Sequence, residues 1–271
     1  MGQRLTYLTK TYLLTVLLFI AAKVVFMLCN GGGHDITPAD GLAVIRHGLT
    51  LDFSTALYFL IVPFFACLAS VWVRVPRWVL RAYYAVVALA FSLAFVSDTS
   101  LYQFWGFKLD ASCLQYLSQP EGITQSVSAG YLLVRFLVWA LLAWGIYRAY
   151  RWMQLPHPTA SHRIRETVLY VCLMPLMVIG IRGGLSESTT NIGQVYYSQN
   201  QFLNHSAVNP VFSFLYSLSH QLGDLSEYDF FDEAECRRLL AGVYTTESRL
   251  ADTLLIADRK SVVSGKSEDL G

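Results

Sequence analysis

The residue types able to do chemistry in this 271-residue chain are few and scattered. His34, Asp35 and Asp40 follow Gly31-Gly32-Gly33, and nitrogen and oxygen donors so close together suit a divalent ion. The same residues also read as a polar, glycine-rich loop leading into a short interfacial helix at 38–49. Thr37 would then be its N-cap, with Pro38 at the first helical position, where a missing N–H costs nothing. The helical reading is the stronger, and no metal ligand is assigned. Lys23 and Arg135 lie inside apolar segments, where a charge marks a functional site by default, although long stems also carry such charges to the interface. As a pair facing the outer leaflet they suit an anionic lipid headgroup. Cys29, Cys67, Cys113, Cys172 and Cys236 are odd in number and form no C-x-x-C, so neither a disulfide framework nor a zinc site is indicated. Gly265-Lys266-Ser267 resembles the end of a phosphate-binding loop, but Lys260 stands where that loop requires its first glycine. His205 and His220 have no identifiable partner. No nucleophile stands beside a base, and no catalytic centre is visible.

The elements that must position these residues are apolar helices. Hydrophobic stretches run over 8–29, 53–73, 78–96, 131–150 and 167–181, and none follows. Each is near the 17–25 residues a helix needs to cross a bilayer. In lipid every backbone amide must be satisfied within its own segment, so these stretches span as helices or not at all. Composition agrees: 54% of residues are hydrophobic and 14% charged, against about 25% charged in soluble domains. The expected fold is all-α, a polytopic membrane bundle of five transmembrane helices (1–181) with extracytoplasmic juxtamembrane helices (182–257). A net charge of +1 gives no reason to expect a nucleic-acid partner.

Charge placement predicts orientation. Arg4, Lys10, Arg74, Arg77, Arg81, Arg148, Arg151, Arg163 and Arg165 flank one set of helix ends, whereas the alternate loops hold only Arg46 and Lys108. This positive-inside pattern puts the N-terminus in the cytoplasm and everything after Ile181 outside it. The first helix is too long for a cleavable signal and reads as an uncleaved anchor.

The third helix is expected to end near Ser97-Asp98, with the aromatic stretches Phe104-Trp105-Gly106-Phe107 and Leu114-Gln115-Tyr116-Leu117 lying in the outer interface. Phe202, Ala207, Val211, Phe212, Leu215 and Leu218 recur at helical spacing around Pro210 and predict an interfacial helix. Asp229 is placed to cap a second helix, 230–241, which Gly242 would end.

Five spans, then R-G-G, then N-x-G-Q-V-Y-Y-S-Q-N-Q-F-L-N-H-S-A-V-N-P from Asn191, then F-F-D-E-A-E-C-R-R-L, resemble the membrane half of lipoteichoic-acid-synthase-like proteins. These are phosphoglycerol transferases and their sulfatase-like relatives, and the wording is most similar to Bacteroidetes versions. The likeness covers residues 1–257, and the stretch 182–212 is its most specific part. It implies a bacterial inner-membrane location and an anionic phospholipid donor. It also implies a downstream extracytoplasmic catalytic domain in which a Thr nucleophile and a divalent metal, often manganese, act. That domain is expected to open with a strand after Leu254-Leu255-Ile256-Ala257. Residues 258–271 instead resemble the translation of a common DNA-sequencing adapter and are expected to be non-native, so no cofactor is expected in this chain. Besides Lys23 and Arg135, the resemblance makes Arg182, Asn191, Gln194, Asn204 and Asn209 headgroup candidates, the Asn and Gln side chains also satisfying backbone of the connecting segment. A phosphoethanolamine transferase, or a membrane scaffold without activity, are the alternatives.

Overall fold

The computed structural model describes residues 2–114, 128–153, 162–186 and 188–221, together with residues 235 and 238. Apart from the last two, all belong to one unit, Met1–Gln221. Its helices are α1 (Gly2–Asn30), α2 (Pro38–Ala69), α3 (Arg77–Trp105), α4 (Ala129–Arg151) and α5 (Arg163–Arg182). A 3₁₀ turn (Ile192–Val195) and the short α6 (Gln201–Ala207) and α7 (Pro210–Gln221) follow. There is no strand among the described residues. The five long helices are each long and apolar enough to cross a membrane, with mean hydropathy of 1.8 to 2.4 in their apolar windows. The chain is a multi-pass helical membrane protein.

Helix α1 packs between α2 and α3; α4 lies against α3, and α5 against α2. The midsection is aromatic: Phe19 contacts Phe91 and Phe95, while Phe59 meets Phe91 edge-on at 4.6 Å. Such edge-to-face pairs add about 0.5–1.5 kcal/mol beyond their buried area. Toward the arginine-rich end the core turns to hydroxyls. Tyr7 and Tyr84 share a 2.6 Å hydrogen bond, Thr15 and Tyr150 one of 2.8 Å, and the Tyr84 and Tyr150 rings stack. The opposite end has its own apolar cluster, in which Phe26, Val44 and Leu51 from the long helices meet Val195, Phe202, Ala207 and Val208. The described residues of the segment 183–221 therefore lie across that end as a strap.

Helix bounds differ from the sequence expectation in an instructive way. Helix α2 begins at Pro38 rather than near 53, so the expected interfacial helix at 38–49 is its first part. Thr37 does cap it: its hydroxyl accepts from Asp40 N, and Asp40 accepts from Thr37 N at 2.9 Å. Helix α3 runs past Asp98 to Trp105 and ends at Gly106, whose φ of 70° is the left-handed geometry that glycine adopts freely. Each correction falls at an aspartate, Asp52 or Asp98, which reads as a loop residue in sequence but is buried and paired with a lysine in the fold. The helix expected around Pro210 is two helices parted at Asn209. Proline disfavours helical geometry in the residue before it, and starts a new helix well. Of the predicted helix 230–241 only residues 235 and 238 are described, and both are helical, while its Asp229 cap and Gln115-Tyr116-Leu117 lie outside the described residues.

Candidate functional site

The strap is fastened to the bundle by buried charge. Lys23, on the last third of α1, is 1% exposed, and its ammonium donates to Asp52 Oδ2 at 2.6 Å. Asp52, on α2, is 0% exposed, and its second oxygen accepts from Asn209 Nδ2 at 3.0 Å. Asn209 turns its own carbonyl oxygen to Val211 N and Phe212 N, capping α7. A carboxylate in an apolar bundle needs both oxygens satisfied, and here α1 and the strap satisfy one each. Gly48 makes the approach possible. A β-carbon there would collide with the Lys23 ammonium and stand 2.5 Å from the Ala207 carbonyl oxygen.

A second pair lies beside the first. Lys108, just past the end of α3, pairs with Asp98, whose other oxygen accepts from Leu109 N at 3.0 Å. The Lys108 ammonium also sits 3.8 Å from the centre of the Phe26 ring, a favourable cation–π geometry. Burial pulls the Lys108 ammonium below its ordinary range, against the pull of Asp98. His205, on α6, shares a 3.1 Å hydrogen bond with Tyr102 and lies 3.4 Å from Gln201 Nε2. Burial and then the Lys108 charge hold its imidazole below the usual histidine value, outweighing Asp98. The layer thus carries two cations, two anions and a histidine disposed to stay neutral.

The strap is also braced internally. Asn204 accepts from Tyr197 N and Ser198 N and donates to Ser198 O at 2.7 Å. His47 stacks on Tyr197 and His34 on Phe202, each about parallel, at 4.2 and 4.3 Å. Where α5 ends, Gly183 (φ 89°) reverses the chain, and Thr190 returns both its N–H and its hydroxyl to Arg182 O.

The sequence candidates divide accordingly. Lys23 does not snorkel to the surface; it belongs to the core, because Asp52 neutralises it there. Asn204 and Asn209 are buried and bound to backbone and Asp52. Asn191 donates to Ser188 Oγ and Thr189 O, and Gln194 to Thr189 O, so they hold the turn after α5. Arg135 lies half-buried on α4 with its guanidinium 4.8 Å from the Tyr131 ring centre. Arg182 is exposed and donates to Ser186 O at 3.2 Å. The structure therefore does not assemble the seven into one site. Asp52, Asp98, Lys108 and His205 are the residues that sequence reasoning did not assign to a site. The available signal was an acid bordering each of two apolar runs, with basic partners at the same membrane level.

At the arginine-rich end, Arg4 is buried and joins Glu166 of α5, while its Nε and Nη2 donate to Ser70 Oγ and Ser70 O at the end of α2. Among the described residues no group of three or more His, Cys, Asp or Glu is arranged to hold a metal ion. Asp40 is engaged by Thr37. Among the same residues Cys29, Cys67, Cys113 and Cys172 are free thiols. Chemically, the layer can hold two helices and the strap in one register, and no activated nucleophile stands in it. Protein-family models, curated proteins and solved structures give no match to the chain.

Proposed function

We propose that this chain is the membrane anchor and lipid-presenting part of a phosphoglycerol-transferase or sulfatase-like enzyme of a bacterial inner membrane. Its arginine-rich end faces the cytoplasm and its strap the outside. It works with a downstream catalytic domain, which would carry the divalent metal, manganese or similar. The observation that carries this reading is the fastening of residues 183–221 by Asn209 to Asp52 and by Asn204 to its own turn. A strap bound to buried charge holds the end of this unit firmly to the bundle, as an anchor for a catalytic domain requires. Arg135 and Arg182 stand at the strapped end with their charges at or near the surface, suited to an anionic phospholipid donor.

Two measurements test it. In a cysteine-free background within intact cells, Ser188→Cys is labelled by an impermeant maleimide and Arg74→Cys only after permeabilisation. The reverse labelling sinks the orientation. In vesicles, a phosphatidylglycerol with a photoreactive headgroup cross-links to the strap and to the start of α4, and unlabelled phosphatidylglycerol competes better than phosphatidylcholine. Equal competition, or adducts unaffected by Arg135→Gln with Arg182→Gln, overturns the lipid-presenting role.

A further inference from the structure

Among the described residues the charge at the opposite end is not balanced by nearby carboxylates. Arg74, Arg81, Arg148, Arg151, Arg163 and Arg165 are all exposed there. The sequence has no Asp or Glu from 1 to 34, from 53 to 97 or from 128 to 165. These segments include the start of the first helix, the turn between the second and third, and the described facing ends of the fourth and fifth. Among the described residues, Glu166 is the acid that borders the patch in sequence, and Arg4 pairs with it in the core. Among the described residues no carboxylate pairs with these exposed guanidiniums. Aromatic rings are set among them. Trp72 donates its indole N–H to Thr167 Oγ1 at 2.9 Å, which ties the end of α2 to the start of α5. Arg163 lies over that ring at 5.9 Å, and Arg151 over Tyr147 at 5.8 Å. Trp78 and Trp152 are exposed beside them. Indoles prefer the headgroup level of a bilayer, so these arginines stand at phosphate depth.

We infer that this end binds the headgroup of an anionic phospholipid, seated against Arg74, Arg163 and Arg165 beside Trp72, in the leaflet opposite the strap. Charge complementarity selects the occupant. A guanidinium matches a phosphodiester in a bidentate fashion, and an apolar two-chain anchor suits the exposed Trp72, Val73 and Val168 around it. A zwitterionic lipid brings its own cation and would not relieve the surplus. The inference is independent of the proposed transferase role, which concerns the other leaflet.

The test is native mass spectrometry of the full chain released from nanodiscs of mixed phosphatidylglycerol and phosphatidylcholine. The wild type is expected to retain phosphatidylglycerol preferentially, and Arg74→Gln with Arg163→Gln to weaken that retention about thirtyfold at low salt, at roughly fivefold per basic residue. Arg163→Lys keeps the charge and should keep most of the binding, and Arg46→Gln, on an exposed side chain at the far end, should leave the retention unchanged. Both glutamine changes are on exposed side chains, and unchanged thermal unfolding shows that the fold survives. Equal retention of the two lipids by the wild type, or retention unaltered in the double glutamine variant, overturns the inference.

Discussion

Replacing Lys23 by Met tests the central feature of this fold. The substitution keeps most of the aliphatic stem but leaves Asp52, 0% exposed, with only the Asn209 amide as partner. Breaking a buried ion pair from one side costs about 3–5 kcal/mol, because the remaining charge has neither solvent nor counter-ion. At roughly 2–4 °C per kcal/mol for a chain of this size, the melting temperature should fall by about 6–20 °C. Asp52→Asn alone should cost a similar amount, since it strands the ammonium. The double variant removes both charges while an amide at 52 still accepts from Asn209. It should recover most of the loss, leaving a coupling between the two sites of at least about 2 kcal/mol. The assay is thermal unfolding in one detergent at fixed pH, followed by near-ultraviolet circular dichroism and by monodispersity. Additive losses, or a Lys23→Met protein as stable as the wild type, would refute the argument that the pair exists by mutual neutralisation.

Two further outcomes are specific to the strap. His205 faces Lys108, Asp98, Tyr102, Tyr196 and Gln201, and its folded imidazole binds a proton less readily than the unfolded one. Its contribution should be unchanged above the unfolded value of about 6.5, then decline as pH falls, by at most about 1.4 kcal/mol per pH unit, until pH passes the folded value. His205→Gln should flatten that part of the stability profile, and a slope that persists in the variant counts against the assignment. Gly48→Ala should cost about 1–3 kcal/mol, because the carbonyl of Ala207 cannot retreat as a side chain could. Gly41→Ala, with open space around its added carbon, should cost nothing. Equal behaviour of the two alanine variants in unfolding and in protease cleavage of the strap would discount the tight crossing at Gly48.

Much of the bundle was legible because length and apolarity are properties of a segment by itself. Helices α4 and α5 fall within a few residues of the predicted spans for that reason, and Thr37-Pro38 announces the start of a helix wherever it occurs. What was not legible depends on partners far along the chain. Asp52 and Asp98 read as loop because an isolated aspartate belongs in water. Only the ammonium groups of Lys23 and Lys108 make them tolerable inside a helix that goes on. The same ignorance of partners made Lys23 an outward-facing candidate. Asn209 was singled out for the right segment, but its contact with Asp52 spans 157 positions, which no local pattern encodes.

The ion pairs also impose an order on biosynthesis. Lys23 and Asp52 sit on successive spans, so the first helical hairpin can enter the bilayer already neutralised, as soon as α2 has left the ribosome. A lone charge in either span would be rejected more often by the insertion machinery. Arg4 meets its carboxylate later, since Glu166 is synthesised 162 residues after it, although Ser70 arrives with α2. The N-terminal turn must wait, hydrated, through the insertion of three more helices before it can be drawn in. Truncation before α5 should therefore yield an inserted hairpin core whose N-terminal turn remains open to protease.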